Sequence, residues 1–321
     1  MVGIALGVTG GVAGIWLGTS TALAGPINLK HVPADARTVI HVDVEAATGS
    51  IIGQFILEHG GELGIKQLEQ IKMIEQEIGL NPLEDIFDMT VVFVVDDADE
   101  IDVFIVTASG AVDDALEAIK EKIGDGIETE RVGGYDVIAI RGGGDPMFLW
   151  VESSGRRRTI VAGRDAQRVA EVVSLTKGDG ESLADSDSAL ADVEAQSGAI
   201  VFAATLDASD IAKHSLVSKL LGETSAVFVQ VGEDDGKAFA QVTLGVGTDK
   251  AELVAQMATG LVAGGRLIAG HEDVASEIKD ARIELLSAIQ FSSDNGNVQV
   301  SFRYDVEKFI RLLQEARRGY N

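Results

Sequence analysis

One order of elements occurs twice in this chain, and it constrains the fold more than any other feature of the sequence. "TVVFVVDDADEIDVFIVTASGAVDDALEAI" (90–119) reads as strand, acidic turn, strand and capped helix, and "AVFVQVGEDDGKAFAQVTLGVGTDKAELVA" (226–255) runs through the same order. A second pair follows: "RTIVAGRDAQRVAEVV" (158–173) and "VQVSFRYDVEKFIRLL" (298–313) each give a strand, an aspartate cap and a helix. Strands in runs, separated by helices, favour antiparallel pairing with helices laid over the sheet. The expectation is therefore an α+β fold of two tandem modules. Each would be mostly antiparallel sheet with helices packed on one face, preceded by an N-terminal apolar helix. The modules span 25–176 and 198–321, joined by an acidic linker, 177–197, that contains "KGDGESLADSDS". One continuous mixed sheet is the competing arrangement.

The first 25 residues carry no charge, and six of the first eighteen are glycine. Ala22 and Ala24 fit the small-x-small pattern before a secretory cleavage site, which puts a signal peptide at 1–24 and a mature start at Gly25. The usual basic start is missing, since Lys30 is the first basic residue. A second reading retains the segment, because Gly3, Gly7, Gly10, Gly11, Gly14 and Gly18 fall on one helical face of the kind that lets membrane helices approach closely. Both readings send the rest of the chain out of the cytoplasm, to the periplasm or beyond. A membrane is a partner only if this segment stays attached.

Composition removes several function classes. Fifty-one acidic against 26 basic side chains, among 321 residues, give a formal charge of −25, which repels nucleic acid and anionic lipid. The chain has no cysteine, so disulfides, thiolate metal sites and cysteine nucleophiles are excluded. No nucleophile elbow, zinc-binding helix motif or phosphate loop occurs, and the expected class is a non-enzyme.

Three clusters could carry chemistry. His41, Asp43 and Glu45 alternate along one strand and would share a face, with imidazole and carboxylates suited to a metal. The competing reading is the polar face of a half-buried strand. Asp97, Asp99 and Asp102, around the turn 96–100, gather oxygen ligands for Ca2+, against a reading as a solvated hairpin tip; the spacing does not follow the twelve-residue calcium loop. Arg156, Arg157 and Arg158 form a basic island at a hairpin tip, with Arg164 and Arg168 close behind. They would meet carboxylates on an acidic polymer, a protein partner or a second copy, against a reading as a solvated turn. The leading function is thus an extracytoplasmic structural or protein-interaction scaffold that associates with itself. The alternative is a periplasmic module holding a small ligand or cation between the two units.

The stretch Val32-Pro33-Ala34-Asp35-Ala36-Arg37-Thr38-Val39-Ile40-His41-Val42-Asp43-Val44, with the duplicated pattern after it, resembles a loose group of secreted bacterial proteins built from duplicated α+β units. That group has no assigned activity, so the resemblance implies a fold and a compartment but no site residue.

Overall fold

A computed structural model describes residues 27–318 apart from 60–66, 95–100, 143, 192, 207–223 and 272–275. The N-terminal apolar segment and the helix expected after Thr205 lie outside the described residues.

Twelve strands form one antiparallel sheet: β1 (Thr38–Asp43), β2 (Ile86–Phe93), β3 (Val103–Ser109), β4 (Ile127–Val132), β5 (Tyr135–Ile140), β6 (Met147–Ser154), β7 (Arg157–Gly163), β8 (Ala199–Thr205), β9 (Ala226–Asp234), β10 (Lys237–Gly245), β11 (Ile289–Asp294) and β12 (Asn297–Asp305). Among the described residues the helices are α1 (Val44–Gly49), α2 (Ile51–His59), α3 (Gln67–Ile78), α4 (Pro82–Asp85), α5 (Ala111–Ile123), α6 (Ala166–Thr176), α7 (Ala251–His271), α8 (Ser276–Ser287) and α9 (Val306–Arg318). The spatial order is β11-β12-β10-β9-β8-β1-β2-β3-β7-β6-β5-β4. Read outward from the central pair β8–β1, the two sides run alike: β9-β10-β12-β11 on one, β2-β3-β7-β6 on the other. The two halves meet in a hydrogen-bonded strand pair, with the Thr38 and Thr205 hydroxyls 2.7 Å apart.

Turn chemistry sets the hairpins. Asp235-Gly236 and Asn295-Gly296 both take positive φ at the two central positions, as a two-residue turn between twisted strands requires. Asp165 caps α6, its Oδ1 accepting from Gln167 N at 2.7 Å, and Asp305 caps α9 by accepting from Lys308 N at 2.9 Å.

Consecutive residues fall into different cores, as the pleat demands. Val42, Met89, Val91, Phe104 and Val201 pack with Val44 and Ala46 of α1, Ile71 of α3 and Leu83 of α4 on the helical face. Farther along that face, Ala238 meets Ile52 of α2 and Val306 of α9, and Val298 meets Val254 of α7. The opposite face has a different cover. Val39, Val92 and Phe202 lie beneath Ile27, Val32, Leu183 and Leu190. Next to them Val103, Ile105, Val161 and Trp150 lie beneath α6, through Val169, Val172 and Val173. So α6 departs from the expected one-sided arrangement, because its strands are apolar on both faces. The acidic linker 177–197 is itself anchored: Leu183 is fully buried and its N–H donates to Val32 O at 2.7 Å.

Candidate functional site

The sequence clusters separate once the chain folds. His41 is buried, its Nδ1 2.9 Å from Thr90 Oγ1 on the neighbouring strand. Asp43 ends β1 and caps α1, accepting from Ala46 N at 2.6 Å. The strand stops there, so Glu45 sits in the first turn of a helix, exposed, and the three do not share a strand face. Asp97 and Asp99 lie outside the described residues. The Asp102 carboxylate accepts from Val94 N at 2.6 Å and closes the base of the β2–β3 hairpin. Among the described residues no group of three His, Asp or Glu side chains is placed to hold a metal ion.

The arginines divide as well. Arg158 grips Asp113 of α5: Nε lies 3.0 Å from both carboxylate oxygens and Nη2 2.6 Å from Oδ2. That hydrogen bond holds the Asp113 carboxyl below its ordinary range. Arg157 lies over the Phe87 ring, 4.6 Å from its centre, and Nη2 is 3.6 Å from Glu45 Oε2. The structure thereby joins Glu45 and Arg157, which the sequence treats separately. Arg164 reaches Asp145 at 3.6 Å, and Arg168 spans Asp35 and Glu171 at 3.0 and 2.7 Å. Of the three turn arginines, Arg156 alone has no ion pair among the described residues.

Around this turn the sheet surface is polar. Asp43, Asp88, Thr107, Thr159 and Glu152 stand opposite one another across β1, β2, β3, β7 and β6. Burial pushes the Asp88 carboxyl above its ordinary value, against a hydrogen bond from Thr107 and the charge of Arg157.

A second polar surface has no counterpart among the expected sites. On the face opposite the helices, β10, β12 and β11 present Gln241, Thr243, Gln299, Ser301, Gln290 and Ser292 in two cross-strand rows. Gln241, Gln290, Gln299 and Ser301 line part of a cavity of about 330 Å³, with Gln196 at its inner rim and Arg303 at the other end. Arg303 is tied down, its Nη2 2.7 Å from Asp234 Oδ2 and its guanidinium over the buried Phe239 ring. The signal was in the sequence: "NVQVSFRY" alternates strictly, with Val298, Val300, Phe302 and Tyr304 against Gln299, Ser301 and Arg303.

Just across β11 and β12, on the helical face, α7 carries a third feature. Leu253, Met257 and Leu261 recur every four residues and are 59%, 41% and 68% exposed. Among the described residues no helix is long and apolar enough to cross a membrane.

Comparison with known proteins identifies no catalytic family. No family model and no curated protein matches the chain. Among solved structures, crystal forms III and I of the Treponema protein TP0453 are similar over 92% of this chain and over 100% and 98% of theirs. Identity is 10% and the TM-score 0.42 in both.

Proposed function

We propose that the chain is a non-enzymatic scaffold working outside the cytoplasm, and that it associates with a second copy of itself through the outer end of its second half. The observation that carries this reading is the α7 stripe of Leu253, Met257 and Leu261. Covering a side chain of this size is worth roughly 1.5–3 kcal/mol, and a charge of −25 makes random contact repulsive, so a stripe of this kind favours a specific partner. A two-fold axis would set the stripe against itself.

The adjoining strand supports the same occupant. β11 is an outer strand, and residues 288–293 carry no charge. The two-residue turn makes Asp294 and Asn297 the hydrogen-bonded pair, so alternation points the backbone groups of Ser293, Phe291 and Ile289 outward. Secretion is part of the reading and rests on the uncharged start with its Ala22-x-Ala24 ending. Descent of 25–176 and 198–321 from one duplicated unit is also part of it, supported by the matching strand order on either side of β8–β1.

The test is the mass of the purified chain by light scattering, at rising protein concentration and in low and high salt. The expected result is a concentration-dependent dimer that salt strengthens by screening the net charge. Leu253→Glu with Leu261→Glu should return it to a single chain. A mass that never exceeds one chain would overturn the reading. A dimer that salt weakens, and that Arg156→Glu abolishes, would move the contact to the arginine turn.

A further inference from the structure

Five of the ten residues that line the cavity over β10, β12 and β11, namely Gln196, Gln241, Gln290, Gln299 and Ser301, carry neutral hydrogen-bonding side chains, in a chain dominated by acids. From this chemistry we propose that the cavity binds a neutral polyhydroxylated ligand, a short stretch of uncharged oligosaccharide.

Each amide of Gln241, Gln290 and Gln299 offers two N–H donors and a carbonyl acceptor from one group, and Ser301 adds a hydroxyl that does both. A sugar hydroxyl presents the same pair of roles, so neighbouring hydroxyls along a pyranose match amides spaced by the sheet. Strand separation sets that spacing at about 4.8 Å, with about 7 Å between same-face residues along a strand. Gln241 and Gln290 stand on either side of Ser301 in one row, and Gln299 lies between Thr243 and Ser292 in the next.

Other ligand classes fit less well. A cation would need carboxylates, and among the described residues none lines the cavity, although the chain has 51 acidic residues. An anion would meet one guanidinium already neutralised by Asp234, against an overall charge of −25. An apolar ligand would need apolar walls, whereas five of the ten lining residues carry neutral hydrogen-bonding side chains, and Phe239, one of the four apolar ones, is 4% exposed and lies under Arg303. The volume of about 330 Å³ lies at the small end of ligand pockets and suits a segment rather than a large molecule. Gln230, next in the row, is spent inside the protein: its Oε1 accepts from Gln196 N at 2.7 Å and its Nε2 donates to Glu194 O at 2.9 Å. That clasp holds Gln196 at the rim and fixes the inner wall before any ligand arrives.

This surface lies on the face opposite the α7 stripe, so its test can fail without touching the assembly reading. Maltotriose, cellotriose and triacetylchitotriose would be titrated separately into isotope-labelled full chain, following side-chain amide resonances by NMR. The expected result is saturable shifts of the Gln241, Gln290 and Gln299 amides with at least one of the three sugars. Gln241→Ala and Gln299→Ala should each weaken that binding about threefold to tenfold, the worth of one net hydrogen bond. Both are partly exposed positions, and unchanged thermal unfolding would confirm that the variants fold. Leu253→Glu with Leu261→Glu should leave the shifts in place. Absence of saturable shifts with all three sugars would overturn the proposal, as would shifts confined to other residues. Saturable shifts given only by an uncharged Ser-Gln peptide would overturn it in favour of a protein partner.

Discussion

Ten residues stand in one row across the sheet: Trp150, Val161, Ile105, Thr90 and His41 in the first half, then Phe202, Gln230, Gln241, Ser301 and Gln290 in the second. His41 and Phe202 face each other at the centre, and the strands on either side follow in the same order. Backbone positions therefore correspond while side chains do not. Where the first half has Ile105, Val161 and Trp150 beneath α6, the second has Gln241, Ser301 and Gln290 with no helix over them among the described residues. The helix after β12, α9, packs on the other face against Ala238 and Ile52. Side-chain polarity on one strand face decides whether the following helix closes that face. The closed half gains core, and the open half keeps surface for contact.

The largest effect should come from giving the two halves the same charge at matching positions. Val161→Asp places a carboxylate beneath Val169 and Val173, where it has no partner and loses its water. It should cost more than about 4 kcal/mol in urea unfolding, or prevent folding. Ser301→Asp, at the corresponding position four residues before the helix cap, should stay within about 0.5 kcal/mol. Val161→Thr keeps the comparison measurable if the charged variant does not fold. Similar costs for both charged variants would mean that the second half is closed too.

Much of this contrast was legible in the residues. The continuous apolar runs of β3 and β7 mark strands covered on both faces, and the alternation in "NVQVSFRY" marks a strand covered on one. Asp165 and Asp305 read as helix caps and act as such. The α+β class with a large antiparallel sheet follows from the same patterning. What stayed hidden is long-range. Nothing local to His41, Asp43 and Glu45 says that the chain turns helical at Val44, and that turn takes Glu45 off the strand and gives Asp43 a helix to cap. The partners of the arginine cluster were hidden in the same way, since Asp113 lies 45 residues before Arg158 and Glu45 lies 112 before Arg157. Proximity in sequence groups the arginines, and folding gives Arg157 and Arg158 separate partners within the chain.

The caps test whether the halves differ only in what covers the sheet. Asp165→Ala and Asp305→Ala should each cost about 1 kcal/mol, because each loses the same kind of bond to a first-turn N–H. Equal costs would confine the difference to the strand face. A much larger loss at Asp305 would show that α9, with fewer buried residues among those described, depends on its start for docking.

One row over, the halves differ in charge: Asp88 in β2 stands where Phe228 stands in β9, each two residues from the matching member of the main row. Burial raises the native Asp88 pKa above its ordinary 3.8, so between those values the native chain keeps a proton that the unfolded chain has released. Stability from this group falls as pH rises through that window and stays reduced above it. Asp88→Asn should therefore match the parent below pH 3.8 and exceed it at neutral pH. Thermal melts across pH would measure the difference. A gain present equally in acid would point to packing rather than to charge.

The smallest effect on stability, and the sharpest on behaviour, lies at the two edges. β4 is guarded: Arg131 pairs with Asp136 at 2.7 Å, and Arg141 reaches across to Glu128 at 2.9 Å and also to Glu130. Charge along an outer strand is a common defence against edge-to-edge pairing, and exposed ion pairs add little to folding. β11 has no such guard before Asp294. Ser293→Lys, at an outward-facing backbone position, should leave thermal unfolding unchanged and lower the dimer fraction. Glu128→Thr with Glu130→Thr should likewise leave unfolding unchanged, yet open a second edge, so that association continues beyond a dimer at high concentration. Both are read from light scattering of the same preparations. If Ser293→Lys dimerises like the parent while Leu253→Glu with Leu261→Glu does not, the helix stripe alone makes the contact and the bare edge is incidental. If the β4 variant stays dimeric, charge is not what keeps that edge single, and the tight Gly133-Gly134 turn beside it, with both glycines at positive φ, becomes the better explanation.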